Sequence, residues 1–179
     1  MFEGWQDYFL LVGSAAAALI GLLFVVVTLT AGRERSSLEL GQRFYMSPIV
    51  ADLAAVLVLS GAAMMPDLHP TPFGWFITAA GLVGFVVDMW IAQGIGRLSI
   101  PGENMLFDRS WYGVVPALVS LLICGAGVSV LLRISWAPFA LAVALMALLL
   151  VCVHNAWDLV TYIAPQAGQP PAQKPEEKE

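Results

Sequence analysis

The chain is short of charge, cysteine and histidine, and each shortage removes a class of protein. Asp, Glu, Lys and Arg make up 12% of its 179 residues, where soluble domains carry about 25%. With 59% hydrophobic residues and a mean hydropathy of +0.81, this excludes an ordinary water-soluble domain and fits a multipass membrane protein. The eight Lys and Arg against thirteen Asp and Glu form no basic patch, which argues against nucleic acid as a partner and leaves the lipid bilayer. The two cysteines, Cys124 and Cys152, stand inside apolar runs. Their predicted depths differ by roughly 10 Å or more at about 1.5 Å of rise per residue, and a disulfide needs Cα atoms within about 7 Å. Both read as small buried apolar side chains. The two histidines, His69 and His154, fall on opposite predicted sides of the membrane, which excludes a bis-histidine haem within one chain. No serine–lysine, His-Glu-x-x-His or paired catalytic aspartate motif is present, so no enzyme activity is expected. A cleavable signal peptide is missing too: MFEGWQD is acidic where a signal is basic, and the apolar run behind it exceeds the roughly 7–15 residues of a signal core.

What is there is a series of apolar runs. Five reach the length of about 20 residues that crosses a bilayer, at about 8–30, 48–65, 72–94, 111–132 and 136–163. Ser47–Pro48 and Thr71–Pro72 place a hydroxyl cap before a proline at the first helical position. Ser135 can cap the fifth run, Pro165 ends it, and Pro116 should kink the fourth or free a carbonyl. Residues 1–165 thus read as an all-α bundle of five transmembrane helices, and 166–179, QAGQPPAQKPEEKE, as a disordered tail. Between the first two spans, Ser36 and Glu39 have capping-box spacing, and Leu38, Phe44 and Tyr45 suit a short interfacial piece. Five crossings put Arg33, Arg35, Arg43, Arg97, Arg109, Lys174 and Lys178 on one side and Arg133 alone on the other. The basic side should be cytoplasmic, with the N-terminus outside and the C-terminus and tail inside.

That topology gathers the polar residues into one layer. Asp52, Asp88, Asp108, Tyr112, His154, Asn155 and Asp158 all fall within roughly 15 Å of the cytoplasmic boundary at about 1.5 Å per residue. His154 and Asp158 are four residues apart, on one helix face. A charge at mid-membrane costs about 2.5–3.5 kcal/mol on insertion scales, so these side chains should face the bundle or water. The outer half has no ionisable residue inside a span, which weighs against an open pore. In the first span Gly13, Ala17 and Gly21 recur every four residues, a spacing that lets helices approach closely in lipid. This serves packing inside the molecule or a homo-oligomer built through the first span. Ala80 and Gly84 repeat the pattern in the third. Trp5, Tyr8, Trp75, Trp111, Trp136 and Tyr162 sit near span ends as aromatic belts do. His69, in PDLHPTP, reads as a solvated loop residue.

Two stretches, GSAAAALIGLLFVVVTL and HNAWDLVTYIA, resemble an uncharacterised family of bacterial multipass membrane proteins with a glycine–alanine first span and a closing His-Asn-Ala-Trp-Asp-x-Val-Thr-Tyr motif. The resemblance extends to SPIVAD and DRSWYGVVP, where Asp108, Trp111 and Pro116 fit. It implies a His and Asp cluster from the second, fourth and fifth spans at the cytoplasmic end, a bacterial inner-membrane location, and no particular activity. This chain departs from it at Asp52 and Tyr112, where the family often has histidine.

Three functional readings follow. The first is a structural or accessory membrane component whose Asp/His cluster is a polar network. The second is a proton or cation channel or transporter that uses the cluster. The third is a metal-binding membrane protein, in which His154, Asp158 and Asp52 would hold a divalent ion; otherwise no cofactor is expected. Convergence of Asp52, Asp88 and Asp158 without an arginine partner would favour the second; pairing with arginine would favour the first.

Overall fold

The computed structural model describes residues 2–30, 47–97 and 109–166, and among them it is all-helical. The helices are α1 (Gln6–Thr30), α2 (Ser47–Ala63), α3 (Pro70–Arg97), α4 (Val115–Leu131, led by a π-helical turn at Ser110–Val114) and α5 (Ala137–Gln166). Four stretches are long and apolar enough to cross a membrane: Gln6–Val26, Pro70–Gly94, Ser110–Leu131 and Ala137–Thr161. The fifth helix, α2, is apolar but only 17 residues long. Residues 31–46, 98–108 and 167–179 lie outside the description. With them lie Asp108, the capping box of Ser36 and Glu39, the interfacial piece and nearly all of the expected tail.

The prolines act at helix starts, and Pro48 lies in the first turn of α2 as expected. The third helix begins at Pro70 rather than Pro72, and the amide of Phe73 bonds back to the His69 carbonyl at 3.3 Å. Both prolines then sit in the first turn, whose N–H groups have no helical partner, so neither costs a bond. Pro116 falls in the first turn of α4. The π-helical turn lies immediately before it, where the amide of Val115 bonds to the Ser110 carbonyl, five residues back. The irregularity expected at Pro116 is thus taken up as a widened turn. Pro165 is one residue short of the end of α5, which runs to Gln166.

Two tight turns set the helix order. After α4, Arg133 adopts φ 56°. Its amide bonds to Val130 and that of Ile134 to Ser129, each at 3.0 Å, the paired bonds of a Schellman ending. Asp67, between α2 and α3, adopts φ 53°.

Packing follows from where side chains are missing. A Cβ at Gly81 would overlap the backbone nitrogen of Cys124, and one at Gly127 the Thr78 hydroxyl. At Gly74 it would lie 2.8 Å from the Leu131 side chain. The α3 and α4 backbones therefore touch along most of their length. On the other side of the bundle α1 lies against α2, and α5 contacts α1, α2 and α4. Leu53, Val56 and Leu59 of α2 pack with Leu141, Leu145 and Leu148 of α5 and with Phe9 and Val12 of α1. Leu11, Leu22 and Phe24 of α1, and Val83 and Trp90 of α3, are exposed, as lipid-facing residues are.

Candidate functional site

The acidic residues of the second and third helices are brought together inside the bundle. Asp88 of α3 is 1% exposed, and Asp52 of α2 is partly buried. Asp88 lies within electrostatic range of Asp52, and both lie within range of the Cys152 thiol of α5. Four helices thus meet here. The Ser120 hydroxyl of α4 donates to Asp88 Oδ2 at 2.9 Å. The Cys152 thiol points to the Ile49 carbonyl of α2 at 4.0 Å, a long contact that places α5 beside the start of α2.

Gly84 makes the Ser120 bond reachable. It stands four residues before Asp88, on the same helix face, and a Cβ there would come 2.8 Å from the Ser120 oxygen. A larger residue would occupy the space the hydroxyl needs. Two arginine side chains are described, those of Arg109 and Arg133. Arg109 is exposed, and the nearest side-chain partner of Arg133 is the Thr71 hydroxyl at 3.5 Å.

A second polar group joins the π-helical turn to α5. The buried Tyr112 hydroxyl lies 3.1 Å from the Asn155 carbonyl and 3.0 Å from Asp158 Oδ2. The Asn155 amide donates from Nδ2 to the Trp111 carbonyl at 3.0 Å. Its other side-chain atom, Oδ1, is buried with no donor. His154 is exposed and rests on Trp111, ring centroids 4.1 Å apart.

The predicted layer is therefore two groups on neighbouring helix faces. Asp52 and Asp88 lie within electrostatic range of each other; Tyr112, Asn155 and Asp158 are joined by hydrogen bonds; His154 is exposed and rests on Trp111. Among the described residues no three of His, Cys, Asp and Glu are grouped to hold a metal, and His154, Asp158 and Asp52 do not converge. Ser120 and Cys152 were not among the candidates read from the sequence. A serine in an apolar helix carries no signal of its own, and Cys152 reads as filler until its partners across the bundle are known.

The small-residue positions also divide. Gly13 faces Ser60 of α2, where a Cβ would come 3.1 Å from the Ser60 Cβ. Ala17 is exposed, and Gly21 opens onto free space. Gly84 lies on the α3–α4 seam, and Ala80 beside it is partly buried. Both cysteines are free.

Comparison of the chain with family models, with curated proteins and with solved structures finds no match.

Proposed function

We propose that this chain is a small multipass protein of the bacterial inner membrane that transports protons or cations, with Asp52 and Asp88 as its ion site. The observation that carries this reading is a carboxylate, Asp88, that is 1% exposed between apolar helices, with Asp52 of the neighbouring helix within electrostatic range of it. Two negative charges so placed repel each other and lack hydration, so the pair calls for a positive partner. A proton or a small cation supplies it, and its loading and release are what a transporter needs. The reading takes five crossings, α2 included, with the N-terminus outside.

A structural or accessory role is the second reading, and the bond from Ser120 to Asp88 favours it. That bond ties α3 to α4 whatever else Asp88 does. Liposome flux separates the two. Purified protein is assayed with protons, K⁺ and Mn²⁺, as wild type and as Asp52→Asn and Asp88→Asn. The transport reading expects flux of at least one ion in wild type and its loss in both variants. An absence of flux for every ion would leave the accessory reading.

A further inference from the structure

We infer that the π-helical turn at Ser110–Val114 is a hinged gate, latched to α5 by Tyr112, over the face of α3 that leads to Asp88. The inference rests on the reading of Asp52 and Asp88 as an ion site and adds how that site is reached.

The hinge follows from the hydrogen bonds beside Pro116. The Val115 amide bonds to the Ser110 carbonyl, five residues back. In that register the next donor, to the Trp111 carbonyl, would be Pro116, which has no N–H. Asn155 of α5 supplies one in its place, from Nδ2 at 3.0 Å. The helical ladder is thus interrupted where the turn joins the body of α4, and helix bends concentrate at such points. Neighbouring side chains hold the turn. The Tyr112 hydroxyl lies 3.0 Å from Asp158 Oδ2 and 3.1 Å from the Asn155 carbonyl, and the Trp111 ring rests on His154. Asp158 is exposed while Tyr112 is buried, so water at the end of α5 can take the Asp158 side of the latch.

The turn also lies where a gate is needed. A Cβ at Gly113 would come 2.5 Å from the Ala92 Cβ and 2.7 Å from the Ala92 Cα, so the backbone of the turn is seated directly on α3. Ala92 follows Asp88 by four residues, on the same face and about 6 Å nearer the end of α3. It is 0% exposed. Farther along α4, Ser120 bonds to Asp88 itself. One helix therefore covers Asp88 and the turn of α3 beyond it. The body of α4 is fixed to α3, because Gly81 and Gly127 admit backbone contact with Cys124 and Thr78. Movement falls to the Ser110–Val114 turn, and its lifting from Ala92 uncovers the last stretch of α3 before Asp88.

Hydrogen–deuterium exchange of the full chain in nanodiscs tests the hinge. Tyr112→Phe keeps the ring and removes only the hydroxyl of the latch. The amides of 110–115 should then exchange about tenfold faster, as expected for one lost hydrogen bond to a carboxylate, while those of 117–131 keep their wild-type rates. A rise shared by the whole of α4, or no rise, would overturn the hinge and leave Tyr112 a tie between helices. Liposome flux tests the gate. Tyr112→Phe, and Gly113→Ala, whose methyl would prop the turn off Ala92, should both raise flux severalfold above wild type. Flux that is present in wild type and unchanged in both variants would overturn the gate and leave the ion site standing. No flux in wild type or either variant would overturn the ion-site reading, and with it the path the turn guards, while the exchange rates still report the hinge. Should Gly113→Ala fail to fold, Tyr112→Phe alone decides.

Discussion

Ser120 is the residue on which the acidic pair turns, because its hydroxyl sits 2.9 Å from Asp88 inside the bundle. In a soluble core, leaving such an acceptor unpaired costs about 1–3 kcal/mol. Within lipid, interhelical hydrogen bonds average about 0.6 kcal/mol and reach about 1.7, because the unfolded helices find other partners. Asp88 is a carboxylate at 1% exposure, which puts this bond toward the upper end. Ser120→Ala is thus expected to destabilise the protein by about 1–2 kcal/mol, measured by reversible unfolding in mixed micelles. Gly84→Ala should act in the same direction, since its methyl would meet the Ser120 oxygen. Combined, the two should cost less than their sum, because both remove one contact. Strict additivity would show that Gly84 acts elsewhere. Asp52 and Asp88 were legible in the sequence, since a charge inside an apolar run has few innocent explanations. Ser120 was not, because its meaning depends on a partner 32 positions away. Asn155 was visible as part of the closing motif, but its unpaired oxygen was not, since only coordinates show which atom is left without a donor.

Helices were the most legible level, and the reason is physical: in lipid an apolar run has almost no alternative to a helix. Their ends were less so. Pro70 and Pro72 both suit a first turn, and nothing local distinguishes a helix that starts at one from a helix that starts at the other. The π-helical turn before Pro116 was legible as a fault, though not in its form. The seam between α3 and α4 tests how far close approach matters. A methyl at Gly81 would overlap the Cys124 nitrogen and lie 2.8 Å from both the Cys124 Cα and the Ser120 carbonyl. These are backbone atoms and cannot rotate away, so the helices must part. Gly81→Ala should cost about 1–3 kcal/mol, while Gly21→Ala, which opens onto free space, should be neutral or mildly stabilising. Equal effects at the two sites would contradict the seam. The Schellman ending of α4 supports a prediction of opposite sign. Arg133 holds a left-handed conformation, φ 56°, that costs a non-glycine residue about 1–2 kcal/mol. Arg133→Gly should raise stability by about 1 kcal/mol, provided its contact with Thr71, 3.5 Å and exposed, contributes little. Arg133→Ala should give no such gain, because the strain remains.

At the scale of the whole molecule the question is how many times the chain crosses the membrane, and α2 decides it. Seventeen residues span about 25 Å at 1.5 Å per residue, against a hydrocarbon core of about 30 Å. A deficit of about 5 Å is met by local thinning of the bilayer, at a fraction of a kcal/mol per Å. Leaving α2 outside would cost more. Its inner face, Leu53, Val56 and Leu59, is packed among core residues of α1 and α5, and its outer face, with Leu57 and Val58 exposed, would meet water. At roughly 25 cal/mol per Å² of apolar surface, transferring that outer face to lipid outweighs the mismatch. Asp52 weighs the other way, but it sits only five residues into the helix, near the boundary and beside Asp88. On the five-crossing reading the two termini lie on opposite sides, with seven of the eight Lys and Arg on the side of the C-terminus and Arg133 alone on the other. Reporter fusions ahead of Gln6 and behind Gln166 should therefore report opposite compartments, the C-terminal one cytoplasmic. If both report the same compartment, α2 does not cross, Asp52 and Asp88 no longer share a depth set by neighbouring spans, and the ion site loses its frame. Adding basic residues beside Arg133, on the predicted outer side, should shift a fraction of molecules toward the inverted orientation, and the same fusions would measure that fraction.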